Sequence, residues 1–338
     1  MKALVLRNSS LEIEIVNQRK LALGDARLQV LHAGLCGSDI HKIENYQNST
    51  PLILGHEFVG KVIDVKRGAF REQIGIQIND IVAACPTLPC NECKNCATNN
   101  DHLCESFHAI GRDIPGAFSE YVDIPVSNLI KIPENVSSRN IVLADVVAVC
   151  LHAIYEIAVD VAGKKCLVIG DGAIGSMMSA ILHILGARSV SICGRHSENY
   201  KLLSSIIPVK RVHRDDADEY ECVFETVGRS QIDTIQQAIS NVGVRGKIIA
   251  LGVFPPNLQI SFNNRALFLK EASLTASVAY KQKYFFQAVE FLIAHPNLAE
   301  LITQELVFRD FSTGLQLMKA KKDDSPVIKV VYRFDNNT

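Results

Sequence analysis

The sequence lacks a strong net charge and lacks a long uninterrupted apolar segment. Its 35 lysine and arginine residues nearly balance 36 aspartate and glutamate residues, giving a formal net charge of −1 at pH 7. No charge excess therefore points to nucleic acid or an anionic membrane as a partner. No stretch approaches the roughly 18 uncharged apolar residues that span a bilayer. The first residues alternate like a strand, without the apolar centre of a signal peptide, so we expect a cytoplasmic protein.

The length and composition predict a globular protein of two domains. The chain has 338 residues, which is long for one hydrophobic core. Hydrophobic residues make up 48% and charged residues 21% of the sequence, a balance typical of soluble globular proteins. Repeats, low-complexity segments and long linkers are absent from the sequence.

The first part of the chain has the pattern of an irregular, mostly β domain. Short apolar runs are separated by Gly, Pro and Asn, and we predict strands at residues 27–32, 57–65, 80–84 and 118–124. The period changes to helical over residues 137–160, where Ser137 and Ser138 precede an apolar run.

The second part of the chain alternates between strand and helix patterns. Predicted strands at 166–169, 189–193, 222–225 and 247–251 are separated by predicted helices at 174–185, 200–206 and 232–239. This alternation indicates βαβ units and a parallel sheet. A helix at 284–294 and a strand at 327–332 are predicted near the end of the chain.

A dense cysteine cluster is the first sign of chemistry. Of ten cysteines, five lie between Cys85 and Cys104, and in a reducing compartment such a cluster more often binds metal than forms disulfides. Four of them, with C-x2-C-x2-C-x7-C spacing, can close a tetrahedral shell around a structural zinc: Cys90, Cys93, Cys96 and Cys104. An iron–sulfur cluster and four ordinary buried cysteines are the alternatives. We interpret Cys85, outside the repeat, as a core residue.

Two short polar segments precede the cysteine loop. Residues 36–41 are CGSDIH and residues 55–60 are GHEFVG. Each alone is weak evidence, because a lone His or Cys is more often structural than a ligand. Together Cys36, His56 and Glu57 offer sulfur, nitrogen and carboxylate oxygen, the ligand mix of catalytic zinc sites that keep one position open.

A glycine-rich segment follows the first strand of the second part. Residues 170–175 are GDGAIG, between an apolar strand and a predicted helix, which is the context that a dinucleotide-binding motif requires. Its glycines, Gly170, Gly172 and Gly175, allow a tight turn and close approach of the backbone to a pyrophosphate. Ala173 and Ile174 begin the helix whose N-terminus would meet the pyrophosphate charge. Asp171 lies inside the motif, where its charge should neither help nor reach the pyrophosphate if the side chain points outward.

The end of the next strand bears on cofactor preference. Units that bind NAD place an acid about twenty residues after the glycine motif to bind the adenosine ribose. Here the strand is followed by Gly194 and Arg195. Gly194 carries no acid that would repel the 2′-phosphate of NADP(H), and Arg195 can bind that phosphate through paired hydrogen bonds. We therefore predict NADP(H) over NAD(H), with a merely exposed Arg195 as the alternative.

Two later strand ends are expected to lie at the nicotinamide. Ligands of such sheets bind at the carboxyl ends of the strands. We expect backbone contacts to the cofactor from Val227 and from the turn formed by Leu251, Gly252 and Val253.

These motifs carry a family resemblance. CGSDIH, GHEFVG and the four-cysteine loop, followed by GDGAIG, resemble the zinc-dependent medium-chain dehydrogenases over essentially the whole chain, most closely the sorbitol and threonine dehydrogenase branch. The resemblance implies an α/β protein, with a GroES-like, mostly β catalytic domain over 1–146 and 279–338. It implies a Rossmann domain with a doubly wound parallel sheet over 147–278.

The resemblance also implies a reaction. Hydride would pass between a secondary alcohol of a polyol, sugar or cyclitol and NADP(H) or NAD(H), giving the ketone. A simple-alcohol or threonine-type dehydrogenase is the alternative within the class, and a non-catalytic zinc-binding structural or regulatory protein is the alternative outside it. Relatives imply a homodimer or homotetramer, to whose interface the apolar stretch 267–278 is a candidate contributor.

By the same resemblance, the zinc ligands would be Cys36 and His56, with Glu57 as a ligand or as a carboxylate that approaches the metal. The polyol branch carries a Glu before Leu-His-Ala, and alignment on residues 151–153 puts Asp145 there. Because Asp is one methylene shorter, direct ligation, ligation through water and an under-coordinated zinc all stay open. We interpret the nearby Cys150 and His152 as packing residues.

Three further residues acquire roles from the resemblance. Asp39 would hold the His56 ring through its second nitrogen. Ser38 would pass the hydroxyl proton of the substrate, by way of the cofactor ribose, to His41 and then to solvent.

Overall fold

The computed structural model describes residues 1–66, 75–158, 160–216, 218–228, 231–320 and 324–335. The chain divides into two units, the first comprising Met1–Asp145, Lys281–Ala320 and Lys329–Thr338. The second unit comprises Val146–Tyr280 and Lys321–Ile328. The sequence-based boundaries were 146 and 279, and the sequence analysis gave all of residues 279–338 to the first domain, whereas Lys321–Ile328 falls in the second unit.

The strands of the described residues are, in chain order, β1 (Lys2–Arg7), β2 (Ser10–Ile15), β3 (Asp25–Leu35), β4 (Leu52–Ile53), β5 (Glu57–Val65), β6 (Ile81–Ala84), β7 (Thr87–Leu88), β8 (His108–Ala109), β9 (Tyr121–Pro125), β10 (Leu129–Lys131), β11 (Lys165–Ile169), β12 (Ser189–Cys193), β13 (Lys210–Arg211), β14 (Tyr220–Glu225), β15 (Val242–Ala250), β16 (Ser273–Ala276), β17 (Ile302–Val307) and β18 (Lys329–Arg333).

The α-helices of the described residues are α1 (Gly37–Asn45), α2 (Lys94–Ala97), α3 (Ser138–Ile141), α4 (Ala144–His152), α5 (Ala173–Ile184), α6 (Ser197–Ile206), α7 (Asp233–Asn241), α8 (Asn264–Lys270), α9 (Gln282–Ala294) and α10 (Phe311–Ala320). A π-helical turn over Ala153–Ala158 continues α4.

The first unit is built on a seven-stranded sheet with the order β10-β6-β5-β3-β18-β17, in which β9 also pairs with β3. The long strand β3 is central: it pairs antiparallel with β5, β9 and β18. Every other residue of its first half is buried, as expected of a strand that packs one face on the core. The expected mostly β architecture is confirmed.

The predicted strand at 118–124 begins later than expected, at Tyr121. Phe118 instead exchanges backbone hydrogen bonds with two other segments, donating to Leu54 O at 2.9 Å and accepting from Leu4 N at 2.8 Å. Its fully buried ring packs edge-on against Phe311, with ring centroids 4.9 Å apart. Its backbone thus joins segments that strand propensity alone would not connect.

The second unit is a six-stranded sheet with the order β13-β12-β11-β14-β15-β16, and all of its pairs are parallel. The strand order reverses between β11 and β14, which is the point where Rossmann sheets bind a dinucleotide. α5 packs against β11 and β12, and α7 packs against β14 and β15. The expected doubly wound parallel sheet is confirmed.

The helical stretch Ser138–Ala158 is closer in length and apolar composition to a membrane span than we expected from the sequence. It is the described segment that is long and apolar enough to cross a bilayer, yet 72% of its most apolar window is buried inside the protein. A core helix has this composition for the same physical reason that a membrane span does, because both are surrounded by apolar groups.

Candidate functional site

Antiparallel strand pairing brings the first candidate ligands together. Cys36 follows the end of β3, while His56 and Glu57 stand at the start of β5, and the register pairs Gly34 with Glu57. One sulfur, one ring nitrogen and one carboxylate oxygen of these three residues all lie within 4.8 Å of one another. The two sequence segments therefore form a single cluster.

The donor set and its burial fit a zinc ion. His56 and Glu57 are buried, and within the described part of the chain Glu57 Oε1 accepts no hydrogen bond. A buried carboxylate oxygen without a donor is costly unless a cation compensates it. Sulfur, imidazole nitrogen and carboxylate oxygen are all zinc ligands.

Asp39 organises this cluster from α1. Its Oδ2 accepts the backbone N–H of Cys36 at 2.9 Å, and its Oδ1 lies 3.3 Å from His56 Nδ1. Contact at Nδ1 leaves Nε2 as the nitrogen to bind a metal. Burial alone would lower the pKa of His56, but the charges of Asp39 and Cys36 outweigh burial and raise it well above its usual value. A metal at this cluster would compete with protons for the His56 ring, so its binding should weaken at acidic pH.

Lys329, which the sequence analysis missed, is the buried counter-charge of this cluster. Its Nζ forms an ion pair with Glu57 Oε2, and the two side chains are 1% and 0% exposed. Gly34 leaves the necessary space, since a Cβ there would collide with Glu57 and contact Lys329. Burial opposes the charged lysine, but Glu57 and Cys36 raise its pKa above the usual value. The available signal was a lysine at the start of an otherwise apolar strand, Ile-Lys-Val-Val-Tyr.

Ser38 and His41 lie on the exposed side of α1, one turn apart. His41 Nδ1 is 3.2 Å from Asn45 Nδ2. Both side chains therefore reach solvent from the helix that begins at Cys36, and neither belongs to the metal-ligand cluster of the described residues.

Asp145, the fourth sequence-predicted ligand of the catalytic zinc, lies outside the cluster found among the described residues. It is half-buried in the first turn of α4. Among the described residues, the ligand atoms grouped within 4.8 Å are those of Cys36, His56 and Glu57 and do not include Asp145. The predicted packing residues Cys150 and His152 are both buried.

The four-cysteine loop forms a second cluster, with all four sulfurs within 4.8 Å of one another. Cys93 Sγ lies 3.6 Å from Cys96 Sγ and 4.0 Å from Cys104 Sγ, close to the ~3.8 Å edge of a tetrahedron with zinc–sulfur bonds of about 2.3 Å. Backbone hydrogen bonds from Cys96 and Glu105 lower the pKa of Cys93, whereas burial and the neighbouring Cys93 sulfur raise the pKa of Cys96. Cys85 stays outside, and burial raises its pKa to about 12.

The glycine turn, residues 170–175, joins β11 to α5. Gly170 has φ +116°, and a Cβ on Gly175 would collide with the carbonyl of Gly170. Gly172 is the extended residue before the first turn of α5, in which Ala173 and Ile174 are half-buried. The turn therefore has the close strand-to-helix packing that a pyrophosphate site requires.

The side chain of Asp171 points inward, so the outward orientation considered from the sequence is not the one observed. It is 7% exposed, and its Oδ2 accepts the backbone N–H of His196 at 2.5 Å while Oδ1 lies 3.0 Å from His196 Nδ1. The side chain fits inward because Gly194, at the end of β12, has no Cβ to block it. Arg195 is exposed beside this pair.

Glu225, a second residue that the sequence analysis missed, organises the predicted nicotinamide turns. It is fully buried at the end of β14, and its Oε1 accepts the backbone N–H groups of Val227 and Gly228 at 2.9 Å. Its carbonyl accepts from Leu251 N at 2.8 Å and Gly252 N at 3.1 Å. These N–H groups are thus engaged within the protein, whereas Val253 is 81% exposed.

Comparison with known proteins agrees with this arrangement. The alcohol dehydrogenase GroES-like domain matches residues 22–134. The L-threonine 3-dehydrogenase of Idiomarina loihiensis is 26% identical over 340 residues, with 95% of each chain covered. A zinc-binding dehydrogenase from Sinorhizobium meliloti 1021 bound to NADP superposes with a TM-score of 0.87 at 21% identity, covering 98% of each chain. Galactitol-1-phosphate dehydrogenase from Escherichia coli superposes with a TM-score of 0.86 at 22% identity, covering 98% of this chain and 100% of the other.

A GroES-like domain and two metal-ligand clusters in the first unit, together with a parallel sheet of Rossmann order in the second, are the features expected of a zinc-dependent dehydrogenase. Over nearly its whole length the chain is similar to proteins of that kind.

We predict that Lys329→Met lowers the free energy of unfolding by about 3–5 kcal/mol, because Glu57 would be left buried without its counter-charge. Chemical denaturation of the zinc-loaded protein measures this change. The double variant Lys329→Met with Glu57→Gln should recover part of the loss, since it removes both charges.

The matched control is Lys319→Met, which removes the half-exposed ion pair with Glu44 and should cost less than about 1 kcal/mol. An effect of Lys329→Met as small as that of the control would contradict the importance of the buried pair.

Proposed function

We propose that this protein transfers hydride between a secondary alcohol of the polyol, sugar or cyclitol class and NADP(H), with NAD(H) as the weaker cofactor, giving the ketone. The observation that carries the proposal is the convergence of Cys36, His56 and Glu57 in a buried cluster with a carboxylate oxygen that lacks a donor. A small-molecule alcohol or ketone is the substrate. A cytoplasmic location is supported by the ten cysteines, none of which forms a disulfide bond in the described residues.

The metal centre would be held by Cys36 and His56, with Glu57 or Asp145 completing it. Zinc bound there would act as a Lewis acid that lowers the pKa of the alcohol hydroxyl. Asp39 orients the His56 ring, and Lys329 balances the charge of Glu57. The chain therefore supplies both the ligands and their supporting contacts.

Ser38 and His41 would carry the alcohol proton outward. They stand one turn apart on the exposed face of α1, which suits a hydroxyl and an imidazole acting in sequence. The ribose of a bound cofactor would connect them, and His41 would release the proton to solvent.

The structural zinc would be held by Cys90, Cys93, Cys96 and Cys104. Four sulfurs close the tetrahedron, so this site would stabilise its loop without binding substrate. We propose two zinc ions per chain on the basis of the two clusters.

We predict that Cys36→Ser lowers kcat/KM at least about a hundredfold and reduces bound zinc from about two to about one per chain, because the first cluster loses its thiolate. Zinc is measured by mass spectrometry. Turnover is measured over a panel of polyols, sugars, cyclitols, simple secondary alcohols and L-threonine.

Cys222→Ala is the matched control, a buried cysteine of β14 outside both clusters, and it should keep both zinc ions and most activity. A Cys36→Ser variant with two zinc ions and unchanged turnover would refute the catalytic assignment. Preference for simple alcohols or L-threonine over polyols would select the alternative substrate class.

The preference for NADP(H) is supported by the end of β12. Gly194 offers no acid to the adenosine ribose, and the exposed guanidinium of Arg195 follows it. Arginine binds phosphate through paired, charge-assisted hydrogen bonds, which an unphosphorylated ribose cannot accept in the same way.

We predict that Arg195→Ala raises KM for NADP⁺ about tenfold or more and changes KM for NAD⁺ by less than about threefold, because only the former loses a phosphate contact. Steady-state kinetics with both cofactors measures this split. Arg265→Ala, an exposed arginine of α8, is the control. Equal effects on both cofactors, or a wild-type preference for NADH of about tenfold, would contradict the assignment.

We further propose that the enzyme is a homodimer or homotetramer whose interface includes residues 267–278. β16 is an edge strand of its sheet in the described part of the chain, and three large apolar side chains near it are exposed: Phe268, Leu269 and Val278. An exposed strand edge beside an apolar patch favours pairing with another chain.

We predict that Phe268→Glu together with Val278→Glu shifts the protein toward monomer, because buried charges would oppose the contact. Light scattering after size-exclusion chromatography measures the mass. Ile15→Glu, at a 75% exposed position of β2, should leave the mass unchanged. An unchanged mass in the double variant would place the interface elsewhere.

A further inference from the structure

The carboxyl group of Asp171 is buried, yet no step of the proposed reaction uses it. It is the second residue of the glycine turn and is 7% exposed. Its two oxygens meet two different groups of His196, the backbone N–H at 2.5 Å and the ring Nδ1 at 3.0 Å. A carboxylate that accepts two hydrogen bonds from one residue fixes both the backbone and the side chain of that residue.

These contacts join two turns of the Rossmann unit. The β12–α6 turn, residues 193–197, carries Arg195 and His196. Besides the carboxylate contacts, the carbonyl of Asp171 accepts from Asn199 Nδ2 at 2.9 Å, and Gly170 N donates to Cys193 O at 2.8 Å. The glycine turn and the β12–α6 turn are therefore held together at several points around one side chain.

Gly194 shows what this arrangement excludes. A Cβ at Gly194 would collide with Cβ, Cγ and Oδ2 of Asp171. An acid at position 194, where units that bind NAD place it, would need the space that Asp171 fills. The absence of an acid at position 194 and the inward orientation of Asp171 therefore go together, because the two side chains would occupy the same space.

We propose that Asp171 is a positioning residue for recognition of the phosphorylated ribose of NADP(H). By holding His196, it fixes the β12–α6 turn so that Arg195 is presented to the 2′-phosphate. The inference rests on the proposed NADP(H) preference and adds the residue that enforces it. Both carboxylate oxygens of Asp171 are engaged by His196, so its role is to position the turn rather than to bind ribose hydroxyls.

The test compares two probes that differ by the 2′-phosphate, 2′,5′-ADP and 5′-AMP, in binding to the zinc-loaded protein by calorimetry. Asp171→Ala should weaken the binding of 2′,5′-ADP about tenfold or more and the binding of 5′-AMP by less than about threefold. Asp171→Asn, which keeps one acceptor oxygen and nearly the same shape, should fall between wild type and Asp171→Ala. If the alanine variant does not fold, Asp171→Asn alone tests the proposal.

A double variant separates positioning from general structural damage. If Asp171 acts through Arg195, then adding Asp171→Ala to an Arg195→Ala variant should weaken the binding of 2′,5′-ADP by less than about threefold further. Asp233→Asn, which alters an exposed ion pair with Arg214 in the same unit, should leave both probes unchanged.

Three results would overturn the inference. Equal weakening of both probes by Asp171→Ala would make the residue merely structural. Greater weakening of 5′-AMP would make it a ribose acceptor. Retained preference for 2′,5′-ADP in Asp171→Ala, with preference lost in Arg195→Ala, would leave the proposed cofactor standing and remove only the role of Asp171. Equal binding of both probes by the wild-type protein would instead refute the cofactor preference itself.

Discussion

The buried carboxylate of Glu57 is the constraint on which the metal centre depends. A charge in a protein interior must be paired, and Glu57 has Lys329 on Oε2, while Oε1 accepts no hydrogen bond from the described residues. This arrangement requires the end of β3, the start of β5 and the start of β18 to meet at one place. They do so because β5 and β18 both pair antiparallel with β3. The sheet of the first unit thus positions one lysine and three candidate ligands through backbone register.

A common device recurs in both units: a buried acid binds backbone N–H groups and so fixes a functional turn. Asp39 holds Cys36, Asp171 holds His196, and Glu225 holds Val227 and Gly228. Each acid lies next to residues that the sequence marks as ligands or cofactor contacts. In each case the hydrogen bonds fix the backbone of the turn that carries the functional residues.

The sequence predicted those features that depend on local pattern. The βαβ alternation specified the parallel sheet, because strand and helix periods differ clearly. Spacing identified the four-cysteine loop, and short motifs identified Cys36, His56 and Glu57. Helix α1 was missed because its two buried apolar residues, Ile40 and Ile43, lie among polar ones.

Other features depend on contacts between distant segments, which local pattern does not encode. Lys329 is close to Glu57 only because β18 pairs with β3. Asp171 turns inward because the residue opposite it on another strand end is Gly194. Asp145 was assigned by alignment alone, and the ligand cluster of the described residues contains the other three.

The most direct test of the central claim is an anomalous difference map from crystals of the zinc-loaded protein, recorded at the zinc absorption edge. We predict two peaks per chain, one amid the four sulfurs of the cysteine loop and one against Cys36 Sγ and His56 Nε2. A single peak at the cysteine loop, with Cys36 and His56 free of metal in fully loaded protein, would contradict it.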